Sequence, residues 1–209
     1  MSALLLLAAS LSAPDVDMAF ARRVQQRYPQ WAVRDGQQTS ASIELTVLAD
    51  GKVADCRVLE STGSSRLAGE VCASTIGLKL KPARDDEGNP AVGLLRTELT
   101  LQLSPARSSL RPIVPKPDVE LTVNQLPADP DQLDLEVALL VSPEGVVRNC
   151  EGREPRRGNQ PPPTILVSVA CEQAKEWRGK IVQDASGVVV PYVTNLGVRF
   201  VRAVATAES

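Results

Sequence analysis

Apolar side chains stand at every second position over Ile43, Leu45 and Val47, and the same alternation returns at Val137, Leu139 and Val141. A period of two belongs to a strand with one buried face. Each run is followed by an acidic residue and a glycine, Asp50-Gly51 in "GKVADC" (51 to 56) and Glu144-Gly145 in "GVVRNC" (145 to 150), where glycine lets the chain turn with positive φ. Val53 and Val147 open return strands that end at Cys56 and Cys150. Beyond them Leu67, Val71 and Thr75 follow the four-residue step of a helix face, as do Leu166, Ala170 and Ala174, with Ser64 or Ser65 and Thr164 as the expected N-caps. After Gly88 and Gly187 the period falls back to two, over Leu95, Leu99, Leu101 and Leu103 and over Leu196, Val198 and Phe200. A hairpin, a helix and a third strand are thus written twice.

The spacings support an internal duplication. Gly145 lies 94 positions after Gly51, while Cys72 and Cys171 each lie 16 positions before Gly88 and Gly187. The copies separate by five residues between their cysteines, and there the second carries "EGREPRRGNQPPP" (151 to 163), a charged, proline-rich loop without a core pattern. Between the copies runs "SPARSSLRPIVPKPD" (104 to 118), whose prolines read as a stiff connector. The expected organisation is an N-terminus over 1–19, a first module over 20–104, the connector over 105–118, a second module over 119–203 and a tail over 204–209. The fold class is α+β, with two tandem modules.

Composition narrows the function. Aromatic residues make up 3% of the chain and 23 basic residues face 25 acidic ones, so there is neither a stacking platform nor a basic stripe for nucleic acid. Histidine is absent, which removes the commonest general base and metal ligand. An enzyme would have to converge carboxylates such as Asp85, Asp86 and Asp184, which read better as solvated turn residues. The sequence therefore predicts no catalytic residues, no cofactor, no metal and no small-molecule substrate.

The opening "MSALLLLAASLSAPD" is shorter than the roughly 20 residues needed to span a bilayer. It is nearer to the apolar core of a secretory signal, though no Lys or Arg precedes the leucines. Each copy places one cysteine at the end of its second strand and one in the helix that packs on the sheet. That arrangement suits disulfides Cys56–Cys72 and Cys150–Cys171, the first worth about 3 kcal/mol in the chain-entropy account. A four-thiolate zinc site and free buried thiols are the competing readings. Disulfides imply an oxidising compartment and agree with export.

The first copy resembles the C-terminal domain of TonB-like energy transducers. The resemblance rests on "YPQWAV" (28 to 33), the D-G-x-V turn at Asp50, the phrase "VLESTG" (58 to 63) entering a helix, and "KPARDDEGNP" (81 to 90) leading to the last strand. It spans residues 28 to about 103; the second copy, about 119 to 202, lacks the Tyr-Pro and Lys-Pro-Ala elements and joins only through the repeat. The resemblance implies a periplasmic α+β domain that binds an extended segment of an outer-membrane receptor by strand addition, in connection with TonB-dependent transport. The candidate edge residues are Arg96, Thr97, Glu98, Leu99, Thr100 and Leu101, and Asn195, Leu196, Val198 and Phe200. Two departures matter: the chain shows no membrane-spanning anchor and no long Pro-Lys spacer. The rival expectation is an envelope structural protein whose modules dock on each other and bind no peptide.

Overall fold

The computed structural model describes residues 10–103, 110–111, 113–114, 116–127, 130–153 and 161–203. Most of the signal-like stretch (1–9), the central part of the connector (104–109), most of the second-copy insertion (154–160) and the tail (204–209) lie outside the described residues.

The chain enters through helix α1, Met18–Gln26, which starts where the Asp17 carboxylate accepts the Phe20 N–H at 2.6 Å. The short α2, Gln30–Arg34, follows Pro29. Strands β1, Thr39–Val47, and β2, Val53–Gly63, form the expected hairpin across Gly51. Helix α3, Ser65–Thr75, is capped by the Ser64 hydroxyl and buries Leu67, Val71 and Thr75 against the sheet, as the four-residue step predicts. A small ladder of β3, Ala83–Arg84, and β4, Pro90–Ala91, leads into β5, Gly93–Leu101, antiparallel to β1 over nine positions.

After the connector comes β6, Val119–Val123, and then β7, Gln132–Val141, β8, Val147–Gly152, α4, Thr164–Ala174, and β9, Tyr192–Arg202. The hairpin β7–β8 turns at Gly145, and α4 buries Leu166, Ala170 and Ala174. The Thr164 cap is not used: Pro163 stands at the N-cap without a side-chain hydrogen bond, and Thr164 is already helical. Proline's fixed φ sets the entry angle there, so the hydroxyl is not needed.

Apart from the β3–β4 ladder, the strands form one sheet in the order β2-β1-β5-β9-β7-β8. Its centre is a single parallel contact, Gly93 with Val193, and β6 lies parallel to β9 beyond it, from Val119 opposite Val198 to Val123 opposite Arg202. Apolar packing divides into two main clusters. One gathers Phe20, Ile43, Leu45, Leu67, Val71 and Leu99; the other gathers Leu139, Leu166, Ala170, Leu196, Val198 and Phe200. The first is closed by α1 and α2. The second has α4, with Leu126 and the inward side chains of β6 packed against it.

The halves hold each other by exchanged segments. Leu11 is 4% exposed and packs with Ala83, Ala138 and Val193 in a third cluster, while the Ser12 N–H donates to the Arg84 carbonyl at 3.0 Å. Leu11 thus buries apolar area between the halves, and the backbone at Ser12 and Arg84 is paired.

Turn geometry recurs bond by bond. Leu80 N–H donates to the Gly51 carbonyl and Gly179 N–H to the Gly145 carbonyl, both at 2.9 Å, and both turn glycines have φ near +80°. A Cβ on Gly51 would strike the Leu80 carbonyl. Gly51→Ala and Gly145→Ala should each lower stability by about 2 kcal/mol from left-handed strain alone, measured by urea unfolding, with the close carbonyls adding to it.

Candidate functional site

The site follows from which backbone groups the two last strands leave free. In β1 the Leu48 N–H and Gln38 carbonyl, at either end, both bond toward β2, so even-numbered positions face β2 and odd ones face β5. Their register partners in β5 are also odd, as in Leu45 with Leu95 and Ala41 with Leu99. Alternation then turns the N–H and C=O groups of Arg96, Glu98 and Thr100 outward. The Val92 carbonyl, which accepts the Val193 N–H at 2.9 Å, fixes the same phase. Beyond that contact β5 and β9 part, and no described residue pairs with the outward backbone at 96, 98 and 100.

On β9 the corresponding groups are taken from Gly197 onward. Asp118 N–H donates to the Gly197 carbonyl at 2.8 Å, and the Gly197 N–H donates to Asp118 Oδ2 at 2.9 Å. From Val198 onward β6 supplies the ladder. Along the edge expected at Asn195 to Phe200, the connector runs on into a strand that lies beside β9 from Gly197 onward. Leu196, Val198 and Phe200 are core side chains, fully buried. Nothing in the alternation of β9 itself reveals this; the signal was the Val119, Leu121, Val123 alternation just after the prolines.

Between the edges lies a charged hub. Glu44 sits mid-strand on the face away from α3, and its side chain is only 4% exposed. Lys180 Nζ reaches Glu44 Oε1 at 2.6 Å and Arg96 Nε reaches Oε2 at 3.2 Å. Burial by itself raises the Glu44 carboxyl, but the hydrogen bonds and charges of Lys180 and Arg96 outweigh it and hold the group below its usual value. Arg96 also pairs with Asp118, so one guanidinium links β1, β5 and the start of β6. Tyr192 is buried nearby, and its hydroxyl is pushed up to about 12, first by burial and then by the Glu44 charge. The shallow polar cavity beside the hub is lined by Thr46, Asp55 and residues 180–185.

The cysteines pair as Cys56–Cys72 and Cys150–Cys171, each with Cα atoms 5.5 Å apart, which removes the zinc and free-thiol readings. The carboxylates once weighed for catalysis are turn acceptors. Asp85 Oδ1 accepts the N–H groups of Glu87 and Asn89, and Asp184 Oδ1 those of Ser186 and Val188. Asp86 accepts from the Asn149 amide at 3.4 Å. Among the described residues no three His, Cys, Asp or Glu side chains cluster as a metal site, and no helix is long and apolar enough to cross a membrane.

No curated protein matches this chain. Among solved structures, the C-terminal domain of TonB from Helicobacter pylori (residues 179-285) aligns at 25% identity over 44% of this chain and 87% of that one, with a TM-score of 0.31. Residues 24–94 match the family described as the Gram-negative bacterial TonB protein C-terminal, from within α1 to the start of β5. Within that match lie the hairpin and the helix that the resemblance implies, so residues 24–94 are similar to a TonB C-terminal domain.

Proposed function

We propose that this is a non-enzymatic adaptor of the bacterial envelope, built from two tandem TonB-C-like modules, the second degenerate, that binds a partner protein by strand addition on the outer edge of β5. The observation that carries the reading is the outward backbone at Arg96, Glu98 and Thr100, unpaired among the described residues on a strand otherwise locked to β1. The partner is an extended segment of an outer-membrane receptor, which ties the protein to TonB-dependent transport. Two disulfides support a periplasmic location.

The test is a titration of the full chain with synthetic periplasmic segments of outer-membrane receptors, followed by amide exchange. Slowed exchange at Arg96, Glu98 and Thr100 is expected; exchange unchanged at all three with every segment would remove the reading. Thr100→Pro deletes an outward donor without touching the β1 ladder and should weaken binding at least tenfold, about 1.4 kcal/mol, in a folded protein. Leu99→Pro is the wrong probe, because Leu99 faces β1 and its loss would disrupt the sheet.

A second reading is favoured by the exchanged segments and the covered β9 edge: an envelope structural protein whose halves dock on one another and present no peptide site. Failure of every receptor segment in the titration is the result it expects.

A further inference from the structure

The two halves treat the same edge differently. Outward positions Glu98 and Thr100 on β5 stand 99 residues before Gly197 and Arg199 on β9, and the latter pair faces Asp118 and β6. β6 is five residues long and ladders with β9 on one side only. Val119, Leu121 and Val123 lean half-buried on the second core, while Glu120 and Thr122 are exposed. Asp118 anchors its start through two bonds to Gly197 and the ion pair with Arg96. β9 does not depend on it for its place in the sheet, since β7 holds β9 over ten positions. A short strand paired on one side and entered through a proline-rich tether belongs to the weakly held end of a fold.

We propose that β6 is a tethered ligand strand: it occupies the strand-addition edge of the second half in cis, and an extended segment of the same chemistry, an acidic residue followed by alternating aliphatic ones, gains that edge only by displacing it. The inference rests on the reading that the last strand's outer edge is where partners add. It makes the second half a closed site whose opening is governed by Asp118 and the Arg96 ion pair, beside a first half that is open.

The probe is the labelled peptide PDVELTVN, copying residues 117–124, added to the intact chain and to Leu121→Pro, in which a β6 donor toward β9 is removed, since the Val123 carbonyl accepts the Ala203 N–H and the odd-numbered residues of β6 therefore face β9. In the variant the Arg199 and Val201 amides should exchange at least tenfold faster than in the unaltered protein, and saturating peptide should return them to the unaltered rate. Peptide affinity should rise at least tenfold over that of the unaltered protein. Amides that stay slow in the variant, fast amides that the peptide does not restore, or equal affinity for both proteins would each overturn the proposal. If Leu121→Pro fails to fold, Asp118→Ala, which keeps the ladder and loses the carboxylate's bonds to Gly197 and Arg96, is read the same way with an expected gain of roughly threefold. Occupancy of the first half is read separately at Arg96, Glu98 and Thr100, so loss of the β5 site and loss of the tethered-strand mechanism give different results.

Discussion

Replacing Cys56 and Cys72 together by alanine is expected to lower the unfolding free energy by about 3 kcal/mol, and replacing Cys150 and Cys171 by slightly more. The enclosed sequence separations are 16 and 21 residues, and closing either loop in the unfolded chain removes conformations that folding would otherwise have to give up. The two bridges serve different cores, one against β2 and α3, the other against β8 and α4, so their losses should add. Together they amount to about 6 kcal/mol, comparable to the whole stability of many domains, and the fully reduced protein should unfold at much lower urea. Urea titrations of the two double variants and of the reduced chain check all three values.

Glu44→Gln is expected to produce the second large effect and to change its pH dependence. The carboxylate is buried, while Lys180 and Arg96 are 42% and 50% exposed, so the cations left behind can still reach water and the loss should be about 1–3 kcal/mol, not the full cost of a stranded buried charge. The native carboxyl lies below its usual 4.5, so the folded state binds its proton less readily than the unfolded chain. Its contribution is complete above about 4.5 and is lost as the pH falls through the lowered native value. Stability of the unaltered protein should therefore decline between pH 5 and pH 3 more steeply than that of Glu44→Gln, measured by urea unfolding across that range.

Much of each half was legible because the signals are local. The Asp50-Gly51 and Glu144-Gly145 turns, the helix faces through Val71 and Ala170, and the cysteine spacings all act within a stretch of chain that folds on itself. What escaped depends on segments far apart in the chain. Glu44 falls on the polar phase of β1 and reads as solvent-facing; it is buried and paired with Lys180, which comes from the second half. Leu11 lies in a run resembling a secretory core, yet it fills a gap between Ala83, Ala138 and Val193. The edge residues of β9 carry the pattern of an outer strand, and only the three-dimensional path of the connector places β6 beside them. Trp31, whose ring N–H bonds Glu70 and whose face carries Arg66 at 3.9 Å, is another such case: the "YPQW" phrase marked the segment, but not its docking on α3.

The unequal edges are the claim on which the functional account turns, and residue-resolved amide exchange of the free full-length protein tests it most directly. Arg96, Glu98 and Thr100 should exchange at close to solvent-limited rates, while Gly197, Arg199 and Val201 should be clearly protected, though less than their neighbours in the β7 ladder. Equal protection of the two sets, or fast exchange on β9 with slow exchange on β5, would contradict it.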